Sequence, residues 1–230
     1  MNAIVVAAGE GRRMGAPIPK PFLPIGGRPI FLRALDHLAK SQTIERIILV
    51  AAARELPRCN QLLREDSNLN SCQWILQSGG VTRQASVRQG LEKIDSHCEV
   101  VVIHDGVRPF VSPALVDRCA EAARTRGAVV LGVPARDTIK IVSEDRWVQG
   151  TPAREALWEI QTPQAFRRDL IVEAHDRAAR EGIEATDDAM LVEKMGHSVF
   201  VLEGARTNIK ITVAEDLLFA EALLREGRVS

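Results

Sequence analysis

The sequence predicts an α/β protein whose sheet is mainly parallel, with helices on both faces. Three observations predict it. Short apolar runs alternate with helix-length amphipathic segments throughout the first half of the chain. A glycine-rich, basic stretch, Ala7-Ala8-Gly9-Glu10-Gly11-Arg12-Arg13-Met14-Gly15, follows the first apolar run and continues to Pro19-Lys20-Pro21. An acid, Asp105, stands just past another apolar run, where packing alone explains it poorly because buried carboxylates need partners.

Ala3–Val6 reads as a buried strand. Ile30–Lys40 reads as a helix with Phe31, Ala34, Leu35 and Leu38 on one face. Ile47–Ala52 is a second strand and Pro57–Arg64 a second helix. Trp74–Leu76 is a short third strand, followed by a helix over Val81–Ile94 with Val87, Leu91 and Ile94 inward. Val100–Ile103 and Val129–Val133 are strands on either side of a helix at Pro113–Arg126. Arg167–Arg180 and Asp187–Met195 are helices, Ser198–Leu202 a strand, and Val213–Glu226 a closing helix. Right-handed crossovers in such a Rossmann-like sheet bring the strand C-termini, and their loops, to one edge. That edge is expected to carry the site.

The rhythm breaks after Pro134. Thr138–Val142 alternates, Trp147–Val148 is short, and Gly150-Thr151-Pro152 turns. Residues 137–156 read as a protruding β-arm on a single domain spanning 1–230. A lone hairpin is marginal in water, so the arm is expected to pack on a second copy as a homodimerisation element. A long surface loop is the alternative.

Lys+Arg and Asp+Glu both number 30, which gives no general attraction to nucleic acid or membrane. Tyrosine is absent, so a base-stacking surface for single strands is not expected. Cys59, Cys72, Cys98 and Cys119 lack C-x-x-C spacing and read as reduced thiols of a cytoplasmic protein. The N-terminus starts a strand with no basic-then-apolar signal.

The glycines at 9, 11 and 15 exclude the dinucleotide fingerprint, because Met14 stands where its third glycine belongs. Lys20, between prolines, excludes the P-loop pattern. What remains is a loop whose backbone N–H groups, at Ala7, Ala8, Gly9 and Gly11, can approach a polyphosphate beside Arg12, Arg13 and Lys20. A plain strand-to-helix turn with surface arginines is the alternative.

This segment resembles the signature loop A-A-G-x-G-x-R-[ML]-G of nucleotidyltransferases that activate sugar or polyol phosphates. Later segments narrow the resemblance to the 2-C-methyl-D-erythritol 4-phosphate cytidylyltransferase family. They are Gly79-Gly80-Val81-Thr82-Arg83, His104-Asp105-Gly106-Val107-Arg108-Pro109, Asp137-Thr138-Ile139-Lys140, Arg154 to Phe166 with Gln161-Thr162-Pro163-Gln164, and Asn208-Ile209-Lys210. The resemblance runs along nearly the whole chain, in order. It implies the nucleotide-diphospho-sugar transferase type of fold and transfer of a cytidylyl group from CTP to a polyol phosphate. The length leaves no room for the cyclase domain sometimes fused to this family. A ribitol-5-phosphate cytidylyltransferase is the nearest alternative; a nucleotide-sensing protein without turnover is the second.

The resemblance also implies roles. Arg13 and Lys20 are the transition-state cations; spacing alone does not separate Arg13 from Arg12. Gly80 and Ser86 read the cytosine edge, with Val81 standing where some members carry aspartate. Asp105 lies by the nucleotide and holds Mg²⁺, directly or through water. Arg154, Thr138, Thr162 and Lys210 serve the acceptor phosphate, Thr138 and Arg154 from the dimer partner. Thr82 is a helix cap, and Thr186 or Asp187 another, by their position alone. Thr212 reads as the cap of the closing helix. Lys210 reads as a strand residue facing away from Ile209 and Ile211. His104 reads as a packed, hydrogen-bonded residue. Arg108 is expected to pair with Asp105 or another acid. Arg83 faces either phosphate or solvent.

Overall fold

The computed structural model describes residues 1–9, 18–69 and 72–229. In chain order, strands and helices are β1 (Asn2–Ala7), β2 (Pro24–Ile25), β3 (Arg28–Pro29), α1 (Ile30–Ala39), β4 (Arg46–Ala51), α2 (Leu56–Glu65), β5 (Gln73–Ser78) and α3 (Arg83–Leu91). Then come β6 (Val100–Asp105), α4 (Pro113–Arg126), β7 (Ala128–Pro134), β8 (Ile141–Val142) and β9 (Val148–Gly150). The last are β10 (Trp158–Arg167), α5 (Arg168–Glu181), α6 (Asp188–Lys194), β11 (Phe200–Glu203) and α7 (Ala214–Arg225).

Seven strands form one sheet in the order β11-β7-β10-β6-β1-β4-β5. Every pairing in it is parallel except the two made by β10. Alternation on β1 divides the core. Ala3, Val5 and Ala7 join α1, α2 and α4 on one face, through Leu35, Leu63 and Ala120 among others. Ile4 joins α3, α5 and α6 on the other, through Val87, Ile171 and Val192. Strands buried on both faces read as unbroken apolar runs, which is why β1, β4, β6 and β7 are visible in the sequence. A third cluster, around Ile25, Phe110 and Ile211, seats α7 beside the β2–β3 ribbon.

The sequence did not foresee β10. Pro163 and the polar residues around it argue against a central strand. The structure resolves the conflict with a register shift between Gln161 and Gln164, which carries Thr162 and Pro163 out of the ladder. β5 is also longer than foreseen, six residues instead of three.

Residues 137–156 leave the sheet as expected. β8 and β9 pair only with each other, and Ala135 N–H to Leu157 O, 3.0 Å, closes the base. Ile141, Val142 and Val148 are exposed, and Trp147 is 76% exposed. Among the described residues, no helix is long and apolar enough to cross a membrane.

Gly90 lets α3 lie close on the sheet. A Cβ there would sit 2.7 Å from Ile4 Cγ2 and 3.1 Å from Val50 Cγ2. In Gly90→Ala the better helix propensity returns about 1 kcal/mol, while overpacking costs about 1–3 kcal/mol. The expected outcome is a net loss of about 1 kcal/mol in urea unfolding; a stabilised variant would show that the layers can part without cost.

Candidate active site

β1, β4, β5 and β6 end in register on one edge, with Ala7 opposite Ala51, Ala51 opposite Ser78, and Val6 opposite Asp105. The turns after them touch. A Cβ on Gly79 would meet Ala8 Cβ at 2.5 Å, and one on Gly80 would meet Ala85 Cβ at 2.6 Å. Only glycine lets the Gly79-Gly80 backbone stand against the first loop. Ser86 fixes this turn: its hydroxyl donates to Thr82 O, 2.8 Å, and accepts from Gly80 N–H, 3.1 Å. Thr82 caps α3 by accepting from Ala85 N–H, as expected. The Val81 side chain is fully exposed.

Asp105 is the centre of the edge. Its Oδ1 meets Arg83 Nε at 2.9 Å and its Oδ2 meets Lys210 Nζ at 2.6 Å. Burial pushes this carboxyl up, but Arg83 and Lys210 outweigh it and hold the group well below the usual carboxylate range. Arg83 therefore spends two of its nitrogens on carboxylates. Its Nη1 reaches Asp188 Oδ2 at 2.8 Å, and His175 Nε2–H donates to Asp188 Oδ1 at 3.1 Å. Burial raises Asp188 as well, and Arg83 and His175 reverse the sign.

A buried polar wall stands behind Asp105. His104 is 0% exposed, and burial lowers its pKa to about 4, so it is neutral. Its Nε2–H donates to Arg108 O at 3.0 Å, because a carbonyl only accepts. Nδ1 then accepts from Thr162 Oγ1–H at 3.0 Å, and Thr162 Oγ1 accepts Asp105 N–H at 3.0 Å. The Thr162 side chain, expected at the acceptor, is thus buried and engaged from behind; it fixes the Asp105 backbone. Arg108 is structural, but its partners are carbonyls and not an acid: Asn208 O at 2.7 Å and Ile160 O at 3.5 Å.

β10 extends this wall. Gln161 donates to Ala205 O at 2.9 Å and accepts from Asn208 Nδ2 at 3.2 Å. Gln164 donates to Asp187 Oδ2 at 2.8 Å and accepts Ala189 N–H at 3.2 Å. Asp187 caps α6 through Met190 N–H, which settles that cap in favour of Asp187. Asn208 Nδ2 donates to Thr162 O at 2.8 Å.

Lys210 lies outside any strand, contrary to expectation, and Ile211 N–H bonds to Val107 O at 2.9 Å. Its neighbours still face the α7 cluster while Lys210 reaches Asp105. Thr212 does not cap α7 with its hydroxyl. That hydroxyl and the N–H groups of Thr212 and Val213 all donate to the Asp216 carboxylate. Burial raises Asp216, but Thr212 and Val213, with the charge of Lys20, hold it low. The charge of Lys20, in a 3-10 turn at Lys20–Phe22, thus acts on Asp216 at the start of α7.

Arg154 and Thr138 are exposed at the arm, where Arg154 Nη1 donates to Arg136 O at 3.2 Å. Arg13 and Gly11 lie outside the described residues. A cavity of about 480 Å³ opens elsewhere, near Glu99, Arg124 and Arg167, where Arg124 pairs with Glu99 and Arg167 with Asp169. Sequence reasoning left the role of Asp188 open, between the first turn of a helix and a metal or substrate role, and missed His175. A second acid beside a helix cap was the one signal for the former, and a helix-interior histidine gives none for the latter.

A mainly parallel α/β sheet with close glycine turns and an ionised acid at its strand ends defines the nucleotide-diphospho-sugar transferase class of fold. Residues 1–226 match the family described as IspD, 2-C-methyl-D-erythritol 4-phosphate cytidylyltransferase, and the chain belongs to it. A 2-C-methyl-D-erythritol 4-phosphate cytidylyltransferase of Geotalea uraniireducens is 44% identical, covering 98% of this chain and 97% of the relative. One from Caldanaerobacter subterraneus subsp. tengcongensis is 41% identical, covering 98% and 99%. The crystal structure of 4-diphosphocytidyl-2C-methyl-D-erythritol synthase from Anaerococcus prevotii superposes with a TM-score of 0.87 at 35% identity, covering 97% of this chain and 95% of that one. The Thermus thermophilus cytidylyltransferase gives 0.78 at 34% identity, covering 97% and 98%.

His104 carries a pH prediction. Its folded pKa of about 4 lies below the unfolded value of 6.5. Between these values the unfolded chain takes up a proton that the folded chain refuses, so stability falls as pH falls. In ligand-free protein, this residue is expected to cost about 2 kcal/mol at pH 5 relative to pH 7 in urea unfolding. His104→Gln should flatten that slope; an unchanged slope would assign it to another group.

Proposed function

We infer that this chain transfers the cytidylyl group of CTP to 2-C-methyl-D-erythritol 4-phosphate. The products are 4-(cytidine 5′-diphospho)-2-C-methyl-D-erythritol and pyrophosphate, in isoprenoid precursor synthesis in the cytoplasm. The observation that carries the reading is the convergence of Lys210 on Asp105, at the edge where the Gly79-Gly80 turn meets Ala8, within a chain whose relatives match it over nearly its full length.

An oxygen of the acceptor phosphate attacks the α-phosphorus of CTP in line. The new P–O bond forms as the bond to the β-phosphate oxygen breaks, and pyrophosphate departs with that electron pair. Charge grows on the equatorial oxygens and on the leaving group, and Arg13 and Lys20 are the fixed cations that stabilise it. Ala7, Ala8, Gly9, Gly11 and Gly80 offer backbone groups to the nucleotide, with Gly80 held in place by Ser86. Base reading beside Val81 falls to the backbone, since that side chain cannot hydrogen bond.

Asp105 is the residue that would hold Mg²⁺. It is ionised, stands at a strand end, and each oxygen spends one contact on a cation. A Mg²⁺ ion beside a polyphosphate typically uses one or two protein carboxylates, and Asp105 would supply one. An ion held by Asp105 would neutralise phosphate charge. Lys210 holds the acceptor phosphate. Thr138 and Arg154 complete that subsite from the arm of a second copy, and the exposed apolar residues of 137–156 form the contact between copies.

Pyrophosphate release with CTP and either 2-C-methyl-D-erythritol 4-phosphate or ribitol 5-phosphate tests the reading. Turnover with the first acceptor is expected, and preference for the second would overturn it. Lys20→Ala should lower kcat by about 10²-fold or more with little change in the thermal midpoint. Arg154→Ala should raise the acceptor KM about tenfold and leave CTP binding near wild type; a collapse of CTP affinity would remove Arg154 from the acceptor subsite.

A further inference from the structure

Two cations and two carboxylates form one chain at the strand edge: Lys210, Asp105, Arg83 and Asp188. Its two ends differ. Asp188 and His175 are each 1% exposed and bonded to each other, so that end is locked between α5 and α6. Lys210 is 39% exposed at the open end. Arg83 lies between, and its planar guanidinium meets the two carboxylates through separate nitrogens, Nε at 2.9 Å and Nη1 at 2.8 Å.

We propose that Arg83 is a positioning residue for the transfer reaction: it divides its charge between Asp105 and Asp188, and so fixes the Asp105 carboxylate while leaving Lys210 available to the acceptor phosphate. Asp105 has one negative charge to share between Arg83 and Lys210. The more of it Arg83 satisfies, the less tightly Lys210 is held. Asp188 sets that share, because it draws Arg83 away from Asp105. The identity of the acceptor rests on the function inferred above; the division of charge does not.

Opposite changes at the two ends of Arg83 should therefore have opposite effects. Asp188→Asn keeps the shape and releases Arg83 wholly to Asp105, which loosens Lys210. Arg83→Met combined with Asp188→Asn removes one positive and one negative charge, so the local sum is unchanged and the aliphatic stem is kept. Asp105 then leans on Lys210 alone. Two readouts follow. In substrate-free protein, the acylation rate of the Lys210 amine, measured by mass spectrometry, should rise about threefold in Asp188→Asn and fall about threefold in the double variant. In steady-state kinetics, the KM for 2-C-methyl-D-erythritol 4-phosphate should rise about tenfold in the double variant, with the KM for CTP within about threefold of wild type.

A purely structural Arg83 predicts lower thermal midpoints and no change in Lys210 acylation. Equal or same-direction acylation changes in the two variants would overturn the proposal. If the double variant fails to fold, Asp188→Asn decides alone: faster acylation supports the division of charge and an unchanged rate refutes it. Wild-type protein that gives no pyrophosphate with CTP and this acceptor would refute the inferred function, while the acylation rates would still decide the role of Arg83.

Discussion

Asp105 ends β6 with a cation on each oxygen, and neither cation belongs to its own strand. Arg83 arrives from the start of α3, and Lys210 from the segment before α7. A carboxylate 5% exposed would be costly without them. The same requirement that makes the acid tolerable thus draws distant parts of the chain to one edge. Folding and site assembly are here a single electrostatic problem.

The backbone of Asp105 is held as firmly as its side chain. The run from Asp105 N–H through Thr162 and His104 to the Arg108 carbonyl assigns every proton, since a carbonyl can only accept and burial keeps His104 neutral. Gln161, Gln164 and Asn208 extend it sideways, binding the start of α6 and the Lys210 segment to β10, while Arg108 Nε and Asn208 Oδ1 stay buried without a hydrogen-bond partner. The Gln-Thr-Pro-Gln stretch is therefore a brace, which explains why so polar a sequence runs through the middle of the sheet.

Much of this was legible in the residues. The apolar runs of β1, β4, β6 and β7 and the amphipathic helices between them marked the layers, because burial on both faces leaves no polar interruption. Asp105 declared itself as an acid with no packing reason to be there. β10 stayed hidden because its pairing depends on an irregularity that moves Pro163 out of the ladder, and no local pattern encodes such a shift. Arg83 was ambiguous for a related reason: its two carboxylates lie 22 and 105 residues away, and only the fold states that distance is irrelevant. The motif resemblance supplied roles that spacing alone left open, as between Arg12 and Arg13.

The arm departs at the end of β7 and returns at the start of β10, and those two strands are immediate neighbours, with Trp158 opposite Pro134. Its root is closed by one backbone bond. Lengthening, shortening or rewriting the hairpin hence leaves the ladder on either side in place. The hairpin can thus vary in length and sequence without disturbing the strand ends on which Asp105 and its cations are arranged.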